Sequence, residues 1–317
     1  MSPSPSGEQF QINHGEQHAT IVEVGGGIRS FTDSGRDVLQ PYSVNAMCDG
    51  AHGTPLIPWP NRLADGRFTF DGATYQVALT EPTKSNAIHG FLRWRPWRAL
   101  EHEADRVVMG VRLFPLQGYP FQLDLRVEYR LGTDGLTVTT TATNSGETAL
   151  PFGSGQHPYL SPGGDATVDE CLLQFDAATR ITTDPHRQLP TGTEAVAGTP
   201  YDFREPRRIG NLAMDFAFTD LARDKDQRAW VHLTGRDGLT ATMWVDATYA
   251  LIELYTADTL DKPRRRKGLG SEPMTCPPNA FATGQNLIRL APRESTVAVW
   301  GARLSSPELE RSRTDGP

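Results

Sequence analysis

Cysteine is nearly missing: the 317 residues include only Cys48, Cys171 and Cys276. Three thiols so widely spaced form neither a disulfide framework nor a cysteine zinc site, and a reducing, cytoplasmic setting is expected. No stretch comes near the roughly 18 consecutive apolar residues that a membrane helix needs. The opening, MSPSPSGEQFQINHGEQ, lacks the apolar segment of a secretion signal. Residues 1–18 are therefore expected to be a short flexible tail, as are residues 305–317. Positive charge is not in excess either. Against 38 Asp and Glu stand 31 Lys and Arg, a formal charge of −7, which disfavours nucleic-acid and acidic-membrane partners. Helical periodicity is scarce, apart from a short segment near Ser306–Arg313 that would be marginal alone. The chain also lacks a G-x-S-x-G elbow, a Walker loop and an H-E-x-x-H metal motif. VGGGI near the start has no strand–helix setting and reads as a turn. No cofactor and no metal are expected.

What is present is strand alternation. LDLRVEYRL places Leu123, Leu125, Val127, Tyr129 and Leu131 on one face and Asp124, Arg126, Glu128 and Arg130 on the other. A strict period of two marks a half-buried antiparallel strand. It turns at GTDG into LTVTTTATN, rich in β-branched threonine. Asp71-Gly72 lies between Phe68, Phe70 and Tyr75, Val77, Leu79. Asp237-Gly238 separates another alternating pair, WVHLTGRDGLTATMWV. Asp-Gly between such runs signals a hairpin. With 30 glycines and 24 prolines, no repeat and no linker-like tract, the chain reads as a single all-β domain, a large antiparallel sandwich.

Five polar stretches interrupt this pattern, and each residue in them has a structural reading beside the chemical one. Arg62, in IPWPNRLADGRF, either binds a ligand or covers the neighbouring tryptophan with its planar head. His89, in NAIHGFLRWRPW, either faces a ligand or caps the turn at Gly90. His157, in SGQHPYL, is either a proton donor or a wall residue bonded to backbone. Asp215, in NLAMDFAFTDL, is a turn carboxylate more often than a ligand contact. Glu272, in GLGSEPMTCPPNAF, sits where Pro273, Pro277 and Pro278 forbid a helix. A carboxylate on such a stiffened loop is costly to order without a purpose. The run Arg264–Lys267 in DKPRRRKG reads first as a solvated loop and second as a phosphate site. Trp59, Phe91, Trp94 and Trp97 read as core or rim, with sugar stacking as the minority reading.

Taken in order, NRLADGRFTFDGATYQV, NAIHGFLRW, SGQHPYL, MDFAFTDL and SEPMTCPPNAF resemble the aldose 1-epimerase (galactose mutarotase) family, from about Gly25 to about Arg303. The resemblance implies a galactose-mutarotase-like supersandwich that interconverts the α and β anomers of a free aldose without a cofactor. It implies that His157 is the catalytic acid and Glu272 the catalytic base, and that Arg62, His89 and Asp215 hold sugar hydroxyls. The stretch around Glu272 is not the CLETQ-like one of galactose-specific members, and HGF replaces HGG. Galactose as substrate therefore does not carry over, as in a divergent bacterial branch.

Mutarotation needs only proton movements. The anomeric hydroxyl loses a proton, the ring oxygen gains one, C1–C2 rotates and the ring closes on the other face. Each positioned acid or base typically contributes about 10²–10⁴-fold. A nearby anion, Asp215 or Glu272, is expected to hold the His157 ring protonated, and partial desolvation to raise Glu272. Two other functions stay open: a hexose-6-phosphate 1-epimerase, suggested by Arg264–Lys267, and a carbohydrate-binding domain of this fold without turnover. The expected partner is a small-molecule sugar such as glucose or galactose, and the chain a monomer or homodimer.

Overall fold

The computed structural model describes residues 4–305. The alternation in LDLRVEYRL folds as strand Leu123–Gly132, with Leu123, Leu125, Val127, Tyr129 and Leu131 all buried. It pairs along its length with Gly135–Asn144, closing at Gly132 opposite Gly135. Asp71-Gly72 joins Arg67–Phe70 to Ala73–Gln76 with both turn residues at positive φ, the geometry that Asp-Gly supplies at least cost. Ala229–Thr234 and Thr240–Val245 pair across the loop that contains Asp237-Gly238.

Two large antiparallel sheets result. One has nine strands: Arg98–His102, Arg106–Leu113, Leu123–Gly132, Gly135–Asn144, Ser295–Ser305, Thr240–Val245, Ala229–Thr234, Leu172–Phe175 and Arg207–Arg208, in spatial order. The other has twelve. Its central path runs from Arg36–Leu39 through Tyr159–Leu160, Leu269–Met274 and Leu251–Tyr255 to Asp215–Leu221. One apolar cluster joins the sheets, with Phe31, Ile252 and Leu269 from the twelve-stranded sheet beside Tyr129, Met243 and Trp300 from the nine-stranded one. Fully burying one such side chain is worth about 1.5–3 kcal/mol. The fold is the antiparallel sandwich that the alternation implies.

The first residues depart from expectation. Gln9–His14 and Gln17–Val22 are not a tail but a hairpin at the edge of the twelve-stranded sheet. Phe10, Ile12, Ala19 and Ile21 go into the core. Polar residues alternate with these four, so the hairpin is half-buried and its composition looks tail-like. Ser305 is the last residue of a strand, and the helix expected near Ser306–Arg313 lies outside the described residues. VGGGI turns as expected, because Gly25 and Gly26 are both at positive φ. A side chain at Gly26 would collide with the Trp97 ring.

Register now decides what meets at the centre of the twelve-stranded sheet. Asp215 lies opposite Tyr255, and Ala217 opposite Glu253. Glu253 lies opposite Glu272, and Tyr255 opposite Gly270. Because side chains alternate along a strand, Asp215, Glu253, Tyr255 and Glu272 all stand on one face.

Candidate active site

Glu272 is on a strand, Leu269–Met274, rather than on the expected loop. Pro273 is tolerated there because the ladder on its far side is broken. Ser271 donates to Pro158 O and Thr275 to Ser154 O. The N–H between them, which Pro273 lacks, is the one that would have reached the intervening chain. At that gap the chain turns away, and His157 pairs with another segment. Its N–H donates to Thr54 O at 3.2 Å, and its carbonyl accepts from Gly53 N at 2.8 Å.

The rest of SGQHPYL explains the stiffness. Gln156 reaches into the core, where its Nε2 donates to Tyr129 Oη at 3.1 Å and Gly53 O at 3.2 Å and its Oε1 accepts from Trp300 Nε1 at 3.0 Å. The His157 ring is stacked on Tyr159 at 4.8 Å and stands edge-on to His89 at 5.6 Å. Its Nε2 lies 3.0 Å from Glu272 Oε1, and both groups are buried.

Arg62 and His89 arrive on the paired strands Arg62–Ala64 and Asn86–Ile88. Asn61 organises both. Its N–H donates to His89 Nδ1 at 3.1 Å, its Oδ1 accepts from the Arg62 N–H at 2.7 Å, and its Nδ2 donates to Glu253 Oε2 at 2.6 Å. Asn61 and His89 have positive φ, backbone states that persist when surroundings enforce them. Arg62 donates to Glu81 Oε2 at 3.0 Å and lies 3.8 Å from Asp215 Oδ2. It does not serve as a cover for tryptophan. Asp215 also bonds Gln188. Asn279 of PPNAF closes the frame: it donates its N–H to Arg62 O and accepts from Ala64 N. All five residues picked from the sequence, His157, Glu272, Arg62, His89 and Asp215, line one cleft of about 290 Å³. That is about the lower limit for a small-molecule site. A larger hollow of about 890 Å³ on the nine-stranded sheet gathers no acid–base group comparable to this pair.

Burial dominates the electrostatics. It pushes the His157 imidazole down to about 3, and the His52 and then the Arg93 charge add to the effect. Burial therefore favours a neutral ring over the expected imidazolium. Burial pushes Glu272 well up, helped by the charges of Glu253 and Asp215 and opposed by Arg62. Glu253 rises to about 8, through burial first and Asp215 next. His89 is lowered by burial and then by His157. The arrangement is an uncharged imidazole touching a protonated carboxyl, with one proton to share between them.

His89, His157 and Glu272 each offer a ligand atom within 4.8 Å of the others, a spacing that a metal could use. Hydrogen bonding argues against it. The Asn61 N–H occupies His89 Nδ1, which places the ring proton on Nε2 and leaves no lone pair for a metal. His89 is built to donate to an oxygen.

The cleft residues outside the sequence reading include Asn61, Glu253 and Arg93. Glu253 had a usable signal, as the one acid in the apolar strand LIELY. The basic run is a loop, as its charge suggests, with Arg265 exposed, but its other three cations are tied down. Arg264 bonds Asp49 and His52, Arg266 bonds Asp169 and Asp258, and Lys267 bonds Asp165 O.

Comparison with known proteins bears on the family and the fold. A family model described as aldose 1-epimerase matches residues 8–301. The uncharacterized protein YihR of Escherichia coli K12 is 35% identical over 302 residues, 94% of each chain. Human galactose mutarotase is 29% identical, over 63% of this chain and 60% of its own. A crystal structure of a GalM/aldose epimerase homologue from C. elegans superposes with a TM-score of 0.83 at 19% identity, covering 94% of this chain and 99% of that one. No helix among the described residues is long and apolar enough to cross a membrane.

Proposed function

Because the chain belongs to the aldose 1-epimerase family, we propose that it interconverts the α and β anomers of a free aldose, with His157 as acid and Glu272 as base. The observation that carries this reading is the 3.0 Å approach of His157 Nε2 to Glu272 Oε1 inside a cleft sized for one small molecule. The anomeric oxygen and the ring oxygen are bonded to the same carbon, so the groups that serve them must be neighbours.

The shared proton sets the cycle. Moving it from carboxyl to imidazole turns the resting, uncharged pair into imidazolium and carboxylate. The carboxylate then takes the O1 proton, the C1–O5 bond breaks, and O5 takes the proton of His157. The result is an open-chain aldehyde beside a neutral imidazole and a protonated Glu272, the uncharged state that burial favours. Rotation about C1–C2 presents the other face. Closure then returns the O1 proton from Glu272 and the O5 proton to His157. His89 donates its Nε2–H to a hydroxyl, and Arg62 and Asp215 hold others.

Polarimetry on fresh α-glucose and α-galactose tests the assignment. Glu272→Gln and His157→Asn are each expected to lower kcat by about 10²–10⁴-fold. Equilibration as fast in Glu272→Gln as in the wild type would remove Glu272 as the base. Sugar affinity with no rate acceleration in the wild type would leave a binding domain instead.

A further inference from the structure

Arg93 is a half-buried cation in the cleft that forms no salt bridge among the described residues. It lines the hollow beside His89 and His157, and its charge bears on both rings. Its guanidinium lies 4.1 Å above the exposed ring of Trp94. Among the described residues no hydrogen bond and no carboxylate within ion-pair distance satisfies it. Its partial burial lowers its pKa, against the more distant opposing charges of Cys48 and Glu81, and a charged side chain drawn partly out of water is usually paired.

The remaining charges in the cleft cancel without it. Arg62 and Lys84 are matched by Glu81 and Asp215: Arg62 contacts both acids, and Lys84 Nζ lies 3.1 Å from Glu81 Oε1. Glu253 is held protonated by burial and by Asp215, and Glu272 by burial, Glu253 and Asp215. Arg93 is the surplus positive charge.

We infer that the aldose bound here carries an anionic group on the carbon outside the ring oxygen, and that Arg93 receives it. This rests on the mutarotase reading, in which His157 faces O5. C5 is bonded to O5, so the substituent on C5 projects beside His157, on the side where Arg93 stands. A guanidinium suits a carboxylate, phosphate or sulfate, which accept two parallel N–H bonds. The Arg264–Lys267 run does not compete for this role. Arg264 and Lys267 border a separate hollow of about 30 Å³ with His52 and Tyr159, space on the scale of a water rather than an oxyanion.

Anomer exchange followed by NMR on glucose, glucuronate, glucose 6-phosphate and glucose 6-sulfate tests the inference, with wild type, Arg93→Met and Arg93→Lys. At least one anionic sugar is expected to exceed glucose in kcat/KM by about tenfold or more. Arg93→Met should cut that ratio at least about tenfold, and Arg93→Lys should keep much of it. The preferred sugar identifies the oxyanion. A ratio unmoved by Arg93→Met, or glucose preferred over all three, would overturn the inference. Calorimetry with the corresponding methyl glycosides, which have no free O1–H and cannot be turned over, separates the two claims. Tighter binding of an anionic glycoside that Arg93→Met abolishes, with no sugar turned over, would keep the anion site and remove the mutarotase reading. Equal binding of neutral and anionic glycosides would remove the anion site.

Discussion

Glu253 shows how much one buried carboxyl decides. It stands opposite Glu272 across two strands and holds Asn61, which in turn fixes His89 and Arg62. Its carboxyl is pushed up to about 8, so it is protonated at neutral pH and ionises just above. Ionisation puts a new negative charge beside Glu272 and makes the Glu272 carboxylate harder to form, so the rate should fall through an alkaline limb near pH 8. Glutamine cannot ionise but can still accept the Asn61 hydrogen bond. The limb is therefore expected to move upward in Glu253→Gln, measured as kcat against pH. A limb that stays at the same pH would mean another group titrates there. The five residues found in the sequence were legible because each lies in a short, ordered motif. Glu253 was passed over although it is the one acid in LIELY, because that stretch is not among the ordered motifs and the register that sets it opposite Glu272 is a property of the fold. Arg93 was hidden among the aromatics of FLRWRPW, where an arginine normally covers a ring. The protonation of His157 was misread because depth of burial is a property of the fold, and no neighbouring motif encodes it.

Gly90 carries the same logic to the scale of an element. Its φ is +65°, and a Cβ there would meet the Ile57 carbonyl oxygen at 1.9 Å, a backbone atom that cannot swing aside. Phe91 N–H in turn donates to Ile57 O at 2.9 Å, so the two segments are drawn together where the side chain is absent. Gly90→Ala is expected to cost about 1–3 kcal/mol, a loss of several degrees in Tm for a chain of this size. It should also lower kcat/KM, because His89 is the preceding residue. A thermal scan showing a melt within a degree of the wild type would contradict the close approach. The glycine was visible in the HG motif, but the reason for it was not, since Ile57 comes from a distant segment. The three prolines after Glu272 show the reverse limit. They keep helix away from Glu272, but only Pro273 lies in the strand, which accepts one missing N–H as well as a loop does, while Pro277 and Pro278 lie between it and the short helix Ala280–Thr283. Only the broken ladder opposite Pro273 distinguishes the two. The hairpins at Asp71-Gly72 and Asp237-Gly238 were legible because a two-residue signal and its flanking alternation are local. The Gln9–Val22 hairpin was overlooked because its polar half dominates the composition.

At the scale of the whole molecule, burying the cleft groups and the neighbouring His52 sets the pH at which the protein is most stable. His52, His89 and His157 are lowered from 6.5, to about 4 for His52 and about 3 for His157. Each binds a proton in the unfolded chain below pH 6.5 and none when folded, so each contributes stability that is lost as pH falls below 6.5. Glu253 and Glu272 are raised from 4.5, to about 8 for Glu253. Each keeps a proton when folded that the unfolded chain gives up above pH 4.5, so each contributes stability that is lost as pH rises toward 8. Between pH 4.5 and 6.5 three histidines oppose two glutamates, and the unfolded chain binds about one proton more. Stability should then rise with pH by about 1.4 kcal/mol per unit for that proton. Above pH 6.5 the histidines are neutral in both states, only the glutamates act, and the slope reverses. Maximal stability is expected near pH 6.5, to be measured by urea unfolding from pH 4.5 to 8. Glu253→Gln removes one of the two opposing groups, so the fall above pH 6.5 should be about half as steep. A profile that keeps rising to pH 8 would show that the cleft carboxyls ionise without cost, and the shared proton at His157 and Glu272 would lose its physical basis.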